Sequence, residues 1–264
     1  KINKIYNENC LDTMVKMKDN FIDLTITSPP YDNLRTYNGY SFDFENIANE
    51  LYRITKEGGV LIWVVGDATI KGSETGSSFK QVLYFKSIGF NLHDTMIYKK
   101  TGTPFPSKTR YNQIFEFMFV LSKGKPSVFN PIMKKNATAG AVRHSRKFRN
   151  KDGEMIPSFN GKPVNEYGVE DNVWLIKNGS YKSSKDKVAF NHPAIFPEEL
   201  VAKHIKSWSN KGELIYDCFM GSGTTAKMAH LLNRNWVGSE ISKKYYDIAN
   251  KRLKEYLTQT KLDL

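Results

Sequence analysis

The feature that most constrains the fold is a series of short apolar runs, separated by stretches patterned like amphipathic helices. Such runs, rich in β-branched and aromatic residues, are typical of strands covered on both faces. We predict strands at Phe21–Thr27, Val60–Val65, Asn91–Tyr98, Ile114–Leu121, Leu214–Cys218 and Asn235–Ser239. We predict helices at Ile47–Thr55, stopped by the Gly58–Gly59 pair, at Phe79–Ile88, stopped by Gly89, and at Thr224–Leu232. Because strands and helices alternate, the sequence predicts an α/β sheet.

Residues 123–187 break this alternation and are predicted to be an insertion. The segment is rich in Gly, Pro, Asn and Lys, and its 14 Lys and Arg against 6 Asp and Glu give it +8 of the formal charge of +12. The aromatic residues interleaved with this charge are Phe129, Phe148, Phe159, Tyr167 and Trp174. Because such a mixture suits phosphate contact and base stacking, we interpret the segment as a nucleic-acid-binding region, with a solvated loop as the alternative.

Composition narrows the class of protein. With 264 residues, 40% of them apolar and 13% aromatic, the chain can form a sizeable globular core. No stretch approaches 18 consecutive apolar residues and the first residues lack a signal-peptide core, so we expect a cytoplasmic protein with no membrane partner. Cys10 and Cys218 lack the spacing of a zinc site or a disulfide framework, and both are expected to be buried and inert.

A glycine-rich turn follows the predicted strand Leu214–Cys218. Gly221, Gly223 and Ala226 satisfy the G-x-G-x-x-G/A pattern of nucleotide-binding turns, and Glu240 ends the next strand, where an acid can hold ribose hydroxyls. A tight strand-to-helix turn would need the glycines but not Glu240. A nicotinamide-dependent oxidoreductase is an alternative, but the 38 residues after Ala226 are too few for a second mononucleotide-binding half. The turn therefore predicts a ligand smaller than a dinucleotide.

A second motif, Thr27-Ser28-Pro29-Pro30-Tyr31, follows the first predicted strand directly. This is the carboxyl end of the strand, where open α/β sheets bind their ligands. The prolines fix two φ angles and remove two donors, so the turn presents free carbonyls, one hydroxyl and an aromatic ring in a rigid arrangement. Such a turn can accept hydrogen bonds from an NH₂ group while Tyr31 stacks on a planar base. A plain polyproline turn would explain the prolines without requiring Ser28 or Tyr31.

The T-S-P-P-Y turn and the downstream F-M-G-S-G-T-T loop together resemble the amino-methyltransferases of DNA, which use S-adenosylmethionine. Shorter matches to this family are Asn9–Leu11 with Asp23, Gly58–Val60, Glu116–Phe117, Asp171–Trp174 and His192–Pro197. The order, with the catalytic turn first, the basic insertion next and the cofactor loop last, is that of the β group. The resemblance implies a Rossmann-like methyltransferase fold in this permuted order, with a mostly parallel seven-stranded sheet, helices on both faces and one antiparallel strand. It implies a catalytic half (1–122), a target-recognition region (123–187) and a cofactor-binding half (188–264).

The resemblance also assigns roles to individual residues. Those that it places at the reacting amine are Ser28, Pro29, Pro30 and Tyr31. Those that it places at the cofactor are Thr27, Asp217, Phe219, Gly221, Ser222, Gly223, Thr224 and Glu240. In the insertion, the residues that we expect to anchor DNA phosphates are Arg143, Arg146, Lys147 and Arg149. Cys218 departs from the family pattern, which commonly has a proline there, and no metal is expected.

The implied reaction is site-specific methylation of double-stranded DNA at the exocyclic amine of a flipped-out base, at the nucleoid of a prokaryotic cell, whether host- or phage-encoded. S-P-P-Y is commoner in the resembling family among enzymes that methylate cytosine N4, so cytosine is favoured and adenine N6 is the alternative. A non-catalytic nucleic-acid binder, RNA as acceptor, a homodimer and a companion restriction endonuclease are left open. Gly223→Asp is expected to block the approach of the cofactor to the backbone while leaving the fold intact.

Overall fold

The computed structural model describes residues 1–30, 42–102, 108–142, 147–157, 161–179 and 182–258. The strands, in chain order, are β1 (Lys4–Tyr6), β2 (Ile22–Thr27), β3 (Thr55–Val65), β4 (Thr69–Ile70), β5 (Ser73–Glu74), β6 (Asn91–Lys100), β7 (Phe115–Ser122), β8 (Met133–Lys135), β9 (Lys147–Arg149), β10 (Met155–Pro157), β11 (Tyr167–Val169), β12 (Val173–Ile176), β13 (Leu214–Asp217) and β14 (Asn235–Ser239). The helices are α1 (Cys10–Met14), α2 (Phe44–Ile54), α3 (Ser77–Ser87), α4 (Glu198–Trp208), α5 (Thr224–Leu231) and α6 (Lys243–Leu257), with a 3₁₀ turn at Lys187–Asn191.

The largest sheet has eight strands, in the order β1-β14-β13-β2-β3-β7-β6-β12. Neighbouring strands are parallel except where β7 is involved, because β7 runs antiparallel to both β3 and β6. The predicted α/β class, with a mostly parallel sheet and one antiparallel strand, is confirmed. The sheet has one strand more than the expected seven, since Val173–Ile176, predicted to lie in the insertion, pairs with β6 at the edge.

All the strands and helices predicted from the apolar pattern are present, most of them with ends shifted by one or more residues. The Gly58–Gly59 pair does not end α2, the helix predicted at Ile47–Thr55. That helix stops at Ile54, because Thr55 takes extended backbone angles and starts β3. The glycines lie inside β3, where a Cβ on Gly58 would come within 2.9 Å of the Ser127 side chain.

The chain forms two compact units. One comprises Lys1–Asn130 and Asn172–Leu264 and contains the eight-stranded sheet, and the other comprises Pro131–Asp171. The smaller unit contains two antiparallel ribbons, β8 with β11 and β9 with β10. Its limits lie inside the predicted insertion 123–187, because β12 and the 3₁₀ turn belong to the sheet unit.

The apolar core of the sheet unit reaches to the carboxyl ends of the strands. Trp63 of β3 is fully buried, and its Nε1 donates to Gln81 Oε1 at 2.9 Å. Its ring contacts that of Phe85, and it lies 6.4 Å from the ring of Phe219, in the glycine-rich turn after β13. None of the described helices is long and apolar enough to cross a membrane.

Candidate active site

The two sequence motifs meet at the carboxyl ends of two neighbouring strands. β2 and β13 are parallel and paired, with Thr25 opposite Tyr216. At their ends the Thr27 hydroxyl donates to Asp217 Oδ1 at 2.7 Å, and both side chains are buried. The residues of this bond are 190 positions apart in the sequence, so the fold joins the T-S-P-P-Y turn to the glycine-rich loop by a direct contact.

Asp217 is held by three donors in a buried environment. Besides Thr27, the Phe219 amide donates to Oδ1 at 3.0 Å and the Thr225 hydroxyl donates to Oδ2 at 2.6 Å. Burial raises the pKa of Asp217 to about 6, although these hydrogen bonds act in the opposite direction. The carboxyl group is therefore fixed in position and changes charge close to neutral pH.

The glycine-rich turn between β13 and α5, residues 218–223, is called the glycine loop below. Two of its residues have left-handed backbone angles, Gly221 (φ 53°) and Gly223 (φ 80°). A Cβ on Gly221 would lie 3.1 Å from His192 Nε2, and one on Gly223 would lie 3.1 Å from the Cβ of Ala249 in α6. Both positions therefore require glycine for conformation and for space. Gly223→Asp would therefore strain the backbone and bring its Cβ to 3.1 Å from that of Ala249, so the expectation that this variant keeps the fold intact stays a prediction.

Glu240, directly after β14, closes the other side of this loop. Its Oε2 accepts from the Gly221 amide at 2.8 Å and its Oε1 accepts from the Ser242 amide at 2.8 Å. The Asn7 side chain donates to the Glu240 carbonyl at 2.8 Å, which also fixes the backbone. Burial raises the pKa of Glu240. The acid that sequence spacing predicted at the end of this strand is thus bonded to the middle of the glycine loop.

The remaining predicted cofactor residues also lie in or beside the loop. Phe219 packs its ring near Trp63 and, at 5.8 Å, against Phe42. Ser222 and Thr224 are buried, and both accept hydrogen bonds from an arginine in α6.

The T-S-P-P-Y turn is described as far as Pro30. Thr27 and Pro29 are buried, while Ser28 and Pro30 are partly exposed. Tyr31, predicted to stack on the base, lies outside the described residues. Cys218, where the family commonly has proline, is buried with its Sγ 3.5 Å from Thr27 Oγ1, and burial raises its pKa well above the usual range. Cys10 is buried as well, so the expectation that both cysteines are buried is confirmed.

Comparison with known proteins assigns the chain to a family. A family model described as DNA methylase, named for N6 and N4 methyltransferases, matches residues 22–251. The orphan methyltransferase M.BamHII of Bacillus amyloliquefaciens is 60% identical over 247 residues, which are 91% of this chain and 93% of that protein. The chain belongs to this DNA methylase family. It is a DNA amino-methyltransferase, and its cofactor is S-adenosylmethionine.

Other relatives and solved structures agree in fold. The type II methyltransferase M.BglII of Bacillus subtilis is 25% identical over 259 residues, 94% of this chain and 68% of that protein. The cytosine-N4-specific PvuII DNA methyltransferase matches with a TM-score of 0.69 at 19% identity, covering 94% of this chain and 85% of that one. The M1.HpyAVI complex with its cofactor matches with a TM-score of 0.62 at 23% identity, covering 94% and 98%. The Rossmann-like methyltransferase fold is therefore established.

The residues present fit the cofactor of this methyltransferase. An ionised carboxylate offers about four acceptor positions on its two oxygens. Among the described contacts, Asp217 uses three and Glu240 uses two. Both carboxylates therefore retain acceptor capacity, suited to an ammonium group at Asp217 and to ribose hydroxyls at Glu240.

Two buried charged residues that hold backbone segments in place were not predicted from the sequence. Asp67, just after β3, accepts from the Ser78 amide at 2.9 Å and from the Ser78 hydroxyl at 2.5 Å, and so holds the start of α3. Arg252 of α6 is fully buried beneath the glycine loop sequence Ser222–Thr224, to which it donates. Arg252 belongs to a Lys- and Arg-rich helix, so its sequence context indicates a surface charge and gives no signal of burial.

Two of the four predicted DNA-anchoring residues lie in the described part of the smaller unit. Lys147 and Arg149 lie on the exposed strand β9, whereas Arg143 and Arg146 lie outside the described residues. Among the described salt bridges, Lys134 pairs with Asp171 and Lys135 pairs with Glu166. No described carboxylate forms a salt bridge with Lys147 or Arg149. The described part of the chain contains no cluster of side chains that could hold a metal ion.

Proposed function

We propose that this DNA methyltransferase transfers a methyl group to the exocyclic amine of a flipped-out base in a specific sequence of double-stranded DNA, with cytosine N4 as the target. The observation that supports this is the buried hydrogen bond from Thr27 to Asp217. It holds the turn that resembles an amine-binding motif against the loop that resembles a cofactor-binding motif. An amine acceptor and a methyl donor bound at these two motifs would be neighbours.

The amine of cytosine or adenine is a weak nucleophile, because its lone pair is delocalised into the ring. Hydrogen-bond acceptors that draw the two N–H bonds out of the base plane favour a tetrahedral nitrogen. The Ser28 hydroxyl and the Pro29 carbonyl are the acceptors that we assign to this role. With its lone pair directed out of the base plane, the amine nitrogen would be oriented to accept the methyl group that the bound cofactor would supply, and the proton that it loses would pass to solvent.

The cofactor supplies, when bound, an electrophilic methyl group on a sulfonium sulfur. We assign Asp217 to its ammonium group, Glu240 to its ribose hydroxyls, and the segment Phe219–Thr224 to the surface that encloses it. The fixed geometry supports this assignment, since Asp217 accepts from the Phe219 amide and Glu240 accepts from the Gly221 amide, both in this segment.

The choice of cytosine over adenine rests on the first residue of the turn. Ser28 precedes Pro29-Pro30-Tyr31, and S-P-P-Y is commoner in this family among cytosine N4 enzymes, whereas D-P-P-Y and N-P-P-Y are commoner among adenine N6 enzymes. A hydroxyl accepts an N–H bond from either base, so the preference is a tendency of the family. Adenine N6 is the second candidate.

DNA contact is assigned to the β9–β10 hairpin of the smaller unit. Lys147 and Arg149 alternate with Phe148, so the two cations extend from one side of the strand and the ring from the other. All three side chains are exposed. A two-stranded ribbon of this kind fits the major groove, and its cations can contact phosphates.

The experiment is methylation of unmodified DNA by the purified protein, followed by digestion to nucleosides and mass spectrometry. N4-methylcytosine is expected. N6-methyladenine alone would overturn the base assignment and leave the enzyme class standing, and a product on RNA alone would overturn double-stranded DNA as the substrate.

Variants test the role of the turn in the same assay. Ser28→Ala is expected to lower the methylation rate about 100-fold, as removal of one preorganised hydrogen-bonding group does in other enzymes, with cofactor affinity unchanged. Ser87→Ala, an exposed serine at the end of α3, is the matched control. Loss of cofactor affinity in Ser28→Ala would show that the turn belongs to the cofactor site.

The name of one relative bears on whether this protein has a companion restriction endonuclease. The relative M.BamHII is named an orphan methyltransferase. This supports a chain that acts without a dedicated restriction endonuclease. Homodimer formation and action at the nucleoid remain predictions.

A further inference from the structure

Arg252 is the centre of a buried ionic cluster that lies outside the residues assigned to the cofactor. Its Nε donates to Asp186 Oδ2 at 2.5 Å, and its Nη2 donates to Glu198 Oε1 at 2.5 Å and to Ser184 Oγ at 3.1 Å. Lys227 of α5 contacts the same two carboxylates, at 2.9 and 2.8 Å. Two cations and two carboxylates therefore share one interior site.

The third nitrogen of Arg252 points to the glycine loop. Nη1 donates to the Ser222 carbonyl at 3.0 Å and to Thr224 Oγ1 at 2.9 Å. Ser222 stands between Gly221 and Gly223, the two residues with left-handed backbone angles. Because glycine restricts the backbone least, this is the segment of the loop that most needs an external constraint.

The carboxylates hold the guanidinium in turn. Burial opposes ionisation of Asp186, but hydrogen bonds from Tyr256, Lys227 and Arg252 outweigh it and lower the pKa of Asp186 to about 2. Asp186 therefore remains ionised at neutral pH. Buried ion pairs seldom stabilise a fold more than apolar side chains of the same size, so stability alone gives little reason for this arrangement.

We propose that Arg252 is a positioning residue of the cofactor site, which fixes the Ser222 carbonyl and Thr224 from α6 and thereby sets the conformation of the loop that receives S-adenosylmethionine. This inference rests on the proposed cofactor site. Arg252 acts through the loop, because its described hydrogen bonds are all made to groups of the chain. A substitution of Arg252 should therefore change cofactor affinity, with little effect on the methyl-transfer step at saturating cofactor.

The test is the dissociation constant of S-adenosylmethionine, measured by calorimetry in the full chain. Arg252→Lys keeps the charge but loses the planar fork that reaches the loop and both carboxylates together. We expect at least a tenfold rise in the dissociation constant, because a loop that is no longer held in its binding conformation must be ordered when the cofactor binds. The rate at saturating cofactor and the KM for DNA should stay within threefold of the parent.

A second arginine provides the matched control. Arg234 is also buried, and it donates to the Leu232 carbonyl at 2.6 Å and to Ser209. No described contact joins it to the glycine loop. Arg234→Lys should lower the melting temperature but leave the cofactor dissociation constant within twofold.

Hydrogen exchange of the peptide that contains residues 217–226 adds a readout in the cofactor-free protein. Arg252→Lys should raise exchange in this peptide, and Arg234→Lys should not. If Arg252→Lys does not fold, Asp186→Asn replaces it, because this change keeps the side-chain shape and weakens the hold on the guanidinium. For Asp186→Asn we then expect hydrogen exchange and the cofactor dissociation constant to rise as well, the latter by less than for Arg252→Lys.

Two results would overturn the proposal. One is a cofactor dissociation constant within twofold of the parent in Arg252→Lys, or in Asp186→Asn where that variant is used. The other is a rise of the cofactor dissociation constant in both Arg252→Lys and Arg234→Lys, in proportion to the fall in melting temperature of each variant. Glu240→Ala tests the proposed cofactor site separately from the role of Arg252. If Glu240→Ala leaves cofactor affinity unchanged, the cofactor site is misassigned. If Glu240→Ala weakens cofactor binding and Arg252→Lys does not, only the role of Arg252 is wrong.

Discussion

The glycine loop and the β9–β10 hairpin are built in opposite ways. In the loop, Asp217, Glu240 and Arg252 are buried, and each is bonded to groups of the same chain. In the hairpin, Lys147 and Arg149 are exposed, and no described carboxylate pairs with them. A small cofactor is bound by groups that are already fixed, whereas a polyanion is bound by charges that remain available. The two regions should therefore respond differently to mutation, pH and salt.

The largest effect is expected from removing the carboxylate that closes the loop. Glu240→Ala should raise the dissociation constant of S-adenosylmethionine roughly 100-fold, since hydrogen bonds to a charged group contribute about 1.5–3 kcal/mol. Calorimetry measures this. Glu213→Ala is the matched control, because Glu213 also accepts from a backbone amide, that of Asn210 at 2.7 Å, but has no described contact with the loop. A change in DNA affinity as large as that for the cofactor would contradict the separation of the two regions.

We expect the affinity for S-adenosylmethionine to fall about tenfold between pH 7 and pH 5. Asp217 has a pKa of about 6, so its ionised fraction falls about tenfold between pH 7 and pH 5, and cofactor affinity should fall with it. Asp217→Asn should bind more weakly at pH 7 and show a flatter profile.

The stability of the cofactor-free protein should change with pH in the opposite direction. The folded pKa of Asp217 lies above the ordinary value of 3.8, so the contribution of this group is complete below about pH 4 and is lost as the pH rises through about 6. Melting temperatures from pH 4 to pH 7, compared with Asp217→Asn, isolate this contribution. An identical pH profile in the two proteins would contradict the raised pKa.

A severalfold effect on DNA binding is expected from the hairpin. Lys147→Ala with Arg149→Ala should weaken DNA binding several times at moderate salt and lower the slope of log affinity against log salt by about 2, with cofactor affinity unchanged. Lys134→Ala with Lys135→Ala is the matched control, because those lysines are paired with carboxylates. Equal slopes in the two double variants would place the phosphate contacts elsewhere. Adding Arg143→Ala and Arg146→Ala tests the rest of the predicted patch.

The smallest effect is expected at Cys218. Its thiol is buried and its pKa is raised by burial, so Cys218→Ala should keep the methylation rate and the cofactor dissociation constant within about twofold. Thiol-alkylating reagents should likewise leave the folded protein active. Loss of activity on alkylation of the parent but not of the variant would show that the thiol is reachable from the site.

Much of the fold could be predicted because the strands of a parallel sheet are covered on both faces and therefore read as apolar runs. β1 and β12 were missed because strands of three and four residues are too short to show a sequence period. In β12, buried Trp174 and exposed Leu175 are both apolar, so the alternation in burial is not visible in the sequence. The helices α4 and α6 were missed too. Their buried faces include the polar residues His204 and Arg252, which a hydrophobic pattern does not reveal.

The site was predictable where backbone conformation restricts residue type. Left-handed angles require glycine at Gly221 and Gly223, and the position of Glu240 follows from the length of α5 and β14. The contact between Thr27 and Asp217 could not be derived from spacing, because it depends on β13 pairing with β2. Arg252 could not be identified either, since its partners Asp186 and Glu198 lie 66 and 54 positions away.

The position of β13 between β2 and β14 has a consequence for biosynthesis. On the ribosome, β2 and β3 emerge early, yet one edge of β2 stays unpaired until the segment Leu214–Asp217 has been made. An open strand edge is a template for wrong pairing, and contacts between distant segments form slowly. Chains that stop before β13 should therefore aggregate or require chaperones, and the cofactor should stabilise the complete fold by binding only after the loop has assembled.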